Sequence, residues 1–344
     1  MDQRARRACP IGDMEITVIL CTFNRCQSLA ETLESIAASK LPDGVEWEVL
    51  VVDNNSTDRT REVAENFCRR YSGHFRYIAE SKPGKSFALN TGILEAQGDV
   101  LAFVDDDVTV DPNWLHSLTA ALKDKEWAGV GGRTVPTEAL PIPPWLSPDL
   151  TGALCAHFDL GDVPCELDRA PYGVNMAFRK EMFEKYGLFR IDLGPSPNPE
   201  IPRPNEDTEF GRRLMSAGER LRYEPSALVR HPVPKERLRK GYFLAWWFDL
   251  GRASMREVGR RRDVLGIPRH YLSMLKYGLV LMPTRTLRWV LALTPQSRFY
   301  RKCRVWKTMG EIAEIYGRSF GAKKMRNNVV HKSNGDCSSG EMDQ

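Results

Sequence analysis

The chain has 344 residues, enough for two ordinary domains at roughly 150 residues each, or for one large α/β domain with an appendage. Hydrophobic residues make up 42% and charged residues 27%, which excludes a wholly disordered, collagen-like or disulfide-scaffold chain; a mean hydropathy of −0.40 argues against many membrane spans. The net charge of +4 hides an asymmetry, because residues 235–326 hold 22 Lys and Arg against 6 Asp and Glu, net +16, leaving 27 against 39, net −12, elsewhere. Such a split predicts two regions with different tasks.

In chain order, residues 1–14 form a basic extension without the apolar stretch of a signal peptide, so nothing there directs export. Residues 15–21 (EITVILC) read as a strand and 28–38 as a helix, followed by a strand over 47–52 (WEVLVV) and a helix over 58–71. A weaker strand at 75–78 precedes a helix over 86–96, then come a buried strand over 100–104 (VLAFV), a helix over 112–122 and a strand starting at 128. This alternation predicts a mostly parallel sheet with helices on both faces and ligands at the carboxyl ends of its strands. Prolines crowd 134–171, which reads as a long, irregular surface segment. Regularity returns at 172–178 and 181–186, fails through PSPNPEIPRP, and resumes in a helix over about 207–216. Residues 235–326 are basic and helical in pattern, and 327–344 have the composition of a disordered tail. The most apolar stretch, 277–293, is interrupted by Pro283, Arg285 and Arg288, so no spanning helix is expected. The eight cysteines contain no C-x-x-C pair and suit a reducing cytoplasm.

The polar residues fall where the strands end. Thr22, Asn24 and Arg25 follow the first strand and Asp53 the second, within DNNSTD; neighbouring strand ends with short polar side chains make a crevice for a base and ribose, although turns and caps prefer the same residues. Asp105, Asp106 and Asp107 directly follow VLAFV. Three adjacent carboxylates repel one another unless cations compensate them, and a hard ion such as Mg²⁺ or Mn²⁺ does so while leaving positions for phosphate oxygens. Lys82 and Lys85, in SKPGKS, are candidates to meet a diphosphate, without the spacing of a Walker loop. Glu206 and Asp207 open a helix, as caps or as a general base. His231 follows a strand-like 227–230, where a lone histidine is structural or a metal ligand.

In order, TVILCTFNR, VLVVDNNSTDRT, GKSFALNTGI, FVDDDVTVDPNWL, YGVNMAFRK, PNEDTEFGRRLMSAG and ALVRHPV resemble the motifs of family 2 glycosyltransferases with the GT-A fold, over residues 16–234. The resemblance implies an α/β catalytic domain over 15–234 and inverting transfer of a sugar from a nucleotide diphosphate donor, a UDP-sugar by preference, to a saccharide or lipid-linked acceptor hydroxyl. It implies a divalent metal, Mg²⁺ or Mn²⁺. Carried over by position, Thr22, Asn24, Arg25, Asp53, Lys82, Lys85, Asp105 and Asp106 would bind the donor, with Asn175 near its sugar or the acceptor. Asp107 and His231 would hold the metal, and Asp207 would be the base, supported by Glu206. Cys21 departs from the proline often found there, and the 134–171 segment is not a general feature of the family.

The alternative from another class is a catalytically inactive sugar-nucleotide-binding scaffold of the same fold. Nucleic-acid binding by the basic region is not expected, since no such motif is present. Tryptophans and arginines at 242–262 and 277–293 instead predict attachment to an anionic membrane surface, on the cytoplasmic side.

Overall fold

The computed structural model describes residues 15–40, 45–139, 142–258 and 269–333. The expected extension 1–14, Arg260, Arg261, Arg262 and residues 334–344 of the expected tail lie outside the described residues. The β-branched runs form β1 (Glu15–Thr22), β2 (Glu46–Asp53), β3 (Phe75–Ala79) and β4 (Val100–Val104), alternating with α1 (Cys26–Ala37), α2 (Thr60–Arg70) and α3 (Lys85–Glu95). There follow a two-residue β5 (Thr109–Val110), α4 (Trp114–Ala121), β6 (Trp127–Pro136), a short α5 (Gly152–Cys155), a two-residue β7 (Cys165–Glu166), β8 (Asn175–Arg179), α6 (Lys180–Tyr186), α7 (Glu206–Ser216) and β9 (Arg220–His231).

The sheet order is β3-β2-β1-β4-β8-β6-β9-β5, with β7 on β9. Its first four strands are parallel; β8 then runs antiparallel to both β4 and β6, and β6 and β9 are again parallel. This is the expected α/β architecture with an antiparallel strand near its middle. Because side chains alternate along a strand, Ile16, Val18 and Leu20 pack with α1, α2 and α4 on one face, while Ile19 packs with α3, α6 and α7 on the other. Each fully buried Leu, Ile or Phe of these layers stabilises by roughly 1.5–3 kcal/mol. β9 is longer than its sequence suggests because Pro225 sits inside it, where its register with β6 jumps between Gly132 and Arg133. A proline cannot complete the ladder, so the chain bulges there.

The chain divides into two units, Met1–Tyr242 and Phe243–Gln344. The second is helical: most of α8 (Lys240–Glu257), then α9 (Arg269–Leu275), π-helical turns over Lys276–Leu281, α10 (Met282–Val290) and α11 (Pro295–Ser333). α8 and α11 cross backbone to backbone, since a Cβ at Gly251 would lie 2.0 Å from the Lys307 carbonyl oxygen and one at Gly310 1.9 Å from that of Phe248. Arg256 embraces Glu314 through Nε and Nη2 at 2.8 and 3.0 Å, and Arg285 reaches Glu311 at 3.2 Å. These arginines, expected at a lipid surface, are therefore spent inside the unit, and Trp246 and Trp247 of α8 are half-buried. Among the described residues no helix is long and apolar enough to cross a membrane.

Candidate active site

Register brings the strand ends to one edge: Thr22 pairs with Asp53 across β1 and β2, and Leu20 with Val104 across β1 and β4. The chain leaving β4 passes Asp105, Asp106 and Asp107, then returns as β5, where Thr109 pairs with Arg230 of β9. That return carries Asp107 to His231, whose Nε2 lies 3.3 Å from Asp107 Oδ1. Ligand atoms of Asp105, Asp107 and His231 all lie within 4.8 Å of one another. His231 is buried, and among the described residues its Nδ1 has no hydrogen-bond partner. Two carboxylates and an imidazole suit Mn²⁺, and Mg²⁺ with further oxygen ligands, so the residues present fit the expected metal.

Cations compensate this cluster. Lys85, at the start of α3, places Nζ 2.6 Å from Asp105 Oδ1 and 3.8 Å from Glu206 Oε1, tying the aspartates to the start of α7. Burial opposes its charge, but Asp105 and Glu206 outweigh burial and hold the ammonium above the ordinary lysine range. Arg25 Nη1 pairs with Asp107 Oδ2 and lies 3.7 Å from Asp106 Oδ1. Burial pushes Asp106 up to about 6, whereas for Asp107 the burial cost is overcome by His231 and Arg25, which hold it below the usual carboxylate range. Lys82 is exposed, its ammonium 5.9 Å from the Phe87 ring centre, and among the described residues it joins none of these pairs.

The nucleotide-side residues form a braced crevice. Asn24 adopts φ 53° and spends its side chain accepting from the Thr57 N–H at 2.7 Å, while its own N–H donates to Ser56 Oγ at 2.9 Å. Asn24 thus locks the two loops together. Asp53 accepts from the Ser56 N–H and the Tyr77 hydroxyl, each at 2.9 Å. Sequence reasoning missed Asn54: its amide donates to the carbonyls of Glu80 and Lys82 and accepts from the Gly84 N–H, fixing the loop that delivers Lys85. Asp58 accepts from the Cys26 N–H at the start of α1. Burial pushes the Cys21 thiol up, so it keeps its proton and fills space.

At α7, Asn205 takes a left-handed φ of 87°, turning the chain into the helix. Asp207 is half-exposed, accepting from the Gly173 N–H at 2.5 Å and the Thr208 N–H at 2.6 Å. Glu206 is buried, and burial followed by Asp207 pushes it up to about 8. Only Asp207 of the pair is therefore open to an acceptor. Asn175 corrects an expectation: it is 1% exposed, accepts from Trp114 Nε1 at 2.9 Å, and donates to the Arg133 and Ala227 carbonyls at 2.9 and 2.8 Å. It fastens β8 to β6 and β9 rather than facing a sugar. Beyond the ends of β6 and β9, a cavity of 440 Å³ is lined by Thr137, Glu138, Ile142, Leu154, His157 and Arg230, among others.

Comparison with known proteins agrees with this geometry. Residues 17–187 match the profile of "Glycosyl transferase family 2". The chain is 29% identical over 238 residues to the succinoglycan biosynthesis protein ExoM of Rhizobium meliloti, covering 69% of this chain and 72% of that one. It is 26% identical over 271 residues to the glycosyltransferase AglE of Haloferax volcanii, covering 75% and 84%. Among solved structures, a mannosyltransferase from Pyrobaculum calidifontis, in complex with GDP-Man and Mn²⁺, superposes with a TM-score of 0.59 at 19% identity over 89% of this chain and 88% of that one. With the motifs in order and the strand ends converging on an Asp-x-Asp cluster, residues 17–187 carry a glycosyltransferase family 2 domain, and the chain is a glycosyltransferase with the GT-A fold.

Proposed function

We propose that the protein is an inverting, metal-dependent enzyme that moves a sugar from a nucleoside diphosphate donor, a UDP-sugar by preference, to an acceptor hydroxyl in polysaccharide or glycolipid synthesis. The observation that carries this reading is the convergence of Asp105, Asp107 and His231, tied through Lys85 to the helix start that presents Asp207. A divalent cation, Mg²⁺ or Mn²⁺, would be held by those three residues and would supply positive charge to the departing diphosphate. Thr22, Asn24 and Asp53 shape the crevice for base and ribose. Asp207 takes the acceptor's hydroxyl proton as that oxygen bonds to C1 from the face opposite the donor; the C1–O bond breaks and its electron pair leaves with the nucleoside diphosphate. One displacement inverts the anomeric centre.

The 440 Å³ cavity supports an acceptor site shaped by the proline-rich segment, because Arg230 lines it and the adjacent His231 belongs to the metal set. A membrane-linked acceptor is supported by the second of the two expected stretches, 277–293, continued back into α9, rather than by the tryptophans of 242–262. Leu272, Leu275, Leu279, Pro283, Leu287, Val290 and Leu291 recur at helical spacing along α9 to α10 and are exposed, with exposed Lys276 and Arg288 on the adjoining row. An apolar stripe flanked by cations suits the interface of an anionic, cytoplasm-facing bilayer.

The test is a panel of UDP-, GDP- and dTDP-sugars scored for nucleoside diphosphate release with Mn²⁺, Mg²⁺ or chelator, followed by NMR of the product's anomeric carbon. Metal-dependent release with inversion is expected. Full activity in excess chelator, or retention, would overturn the mechanism. Donor binding without turnover on any acceptor would favour the scaffold alternative.

A further inference from the structure

The aspartate cluster is served by two cations that differ in how they are held. Lys85 sits in the first turn of α3 with its side chain 24% exposed, between Asp105 and a nearly buried Glu206. Withdrawing it would leave Asp105 without its cation. Arg25 is the reverse case: its side chain is 43% exposed while its partners Asp106 and Asp107 are 11% and 13% exposed. Its backbone is pinned independently of the guanidinium, through its N–H to Thr60 Oγ1 at 3.2 Å and through the neighbouring Asn24, locked to Ser56 and Thr57. The side chain can therefore swing out by rotamer changes alone, leaving the loop in place.

Arg25 also competes for a ligand oxygen. It pairs with Asp107, one of the three residues that converge as a metal set, while Lys85 takes Asp105. Three consecutive carboxylates without a divalent ion need this compensation, and with one they do not. On the metal-dependent reading above, we infer that Arg25 is a tethered counter-ion that occupies Asp107 until a divalent cation displaces it, and that its released guanidinium then serves the donor's diphosphate. A planar fork of donors is suited to phosphate oxygens in a way a compact ammonium is not. The exchange keeps the cluster close to neutral in both states, so the carboxylates are not left repelling one another before loading.

The experiment uses the full chain and Mn²⁺ alone, titrated calorimetrically into the parent, Arg25→Ala, Arg25→Met and Arg25→Lys, with UDP added afterwards at saturating Mn²⁺. Removing the competitor is expected to tighten Mn²⁺ binding about fivefold, the scale of a partly exposed ion pair, in Arg25→Ala and in Arg25→Met, which keeps the apolar stem if alanine impairs folding. Arg25→Lys is expected to return the affinity toward the parent value. The alanine and methionine variants should also melt lower than the parent without metal and regain more of the loss on adding Mn²⁺. At saturating Mn²⁺ both should bind UDP more weakly. Parent-like or weaker Mn²⁺ affinity in folded variants, while the parent binds Mn²⁺, would overturn this inference alone. Unchanged UDP affinity would overturn the handover to diphosphate. No Mn²⁺ binding by parent or variant would overturn the metal site itself and the inference with it.

Discussion

His231 is buried with one imidazole nitrogen facing Asp107 and the other without a partner among the described residues, which suits the metal-ligand role proposed for it. His231→Ala is expected to weaken Mn²⁺ binding while leaving the protein folded; unchanged affinity by calorimetry would return the residue to a structural role. Glu206 makes a second prediction. Burial, then the neighbouring Asp207, raises it from the ordinary 4.5 to about 8, so the folded protein holds a proton that the unfolded chain releases. The stability this contributes is full below about 4.5 and is lost as pH rises through about 8. Glu206→Gln, which mimics the protonated form, is expected to flatten the fall of melting temperature between those limits; a parent-like slope would place the titration elsewhere. The placement of Asp107 beyond β4 and of Asp207 in the first turn of α7 was legible because each adjoins a strongly patterned element, an apolar strand or a periodic helix. The pairing of Arg25 with Asp107 was not, since 82 residues separate them and only the β1–β4 register brings them together.

At the scale of elements, the parallel half of the sheet was readable because β-branched runs and helical periodicity agree with each other. β9 was half-hidden by Pro225, which a sheet tolerates only at its bulge with β6. Asn175 was misread for a related reason: its motif position suggested a ligand, but its partners Trp114, Arg133 and Ala227 lie 42 to 61 residues away in sequence. A Cβ at Gly132 would lie 2.3 Å from the Ala227 carbonyl oxygen and 2.4 Å from Asn175 Nδ2, so a glycine there is what lets β6 close on this junction. Asn175→Ala leaves a buried indole N–H and two carbonyls unsatisfied, and it is expected to cost about 2–5 kcal/mol of stability with little change in donor KM for the folded fraction. A raised KM at parent stability, measured by denaturant unfolding beside initial rates, would restore the residue to the substrate site.

For the whole molecule, the basic bias of 235–326 divides into two uses. Arg252, Arg256 and Arg285 are committed to Glu314 and Glu311 within the second unit, whereas Lys276 and Arg288 flank an exposed apolar stripe. Composition announced the charge, but only the three-dimensional packing separates the arginines that hold helices together from the cations left at the surface. The protein is expected to cofloat with anionic liposomes at low salt and less with neutral ones, and the double substitution Leu279→Glu, Leu287→Glu, at positions 71% and 59% exposed, should abolish flotation without unfolding. Equal flotation on both lipids, or none lost in the variant, would refute the interface. The central claim is that Asp107 holds the metal and donor while Asp207 acts only on the acceptor. It is tested most directly by measuring Mn²⁺-dependent UDP binding and sugar transfer side by side in Asp107→Asn and Asp207→Asn. The account predicts that the first loses both, and that the second keeps parent-like UDP binding while turnover falls roughly 10²- to 10⁴-fold; Mn²⁺-dependent UDP binding retained in Asp107→Asn, or near-normal turnover in folded Asp207→Asn, would contradict it.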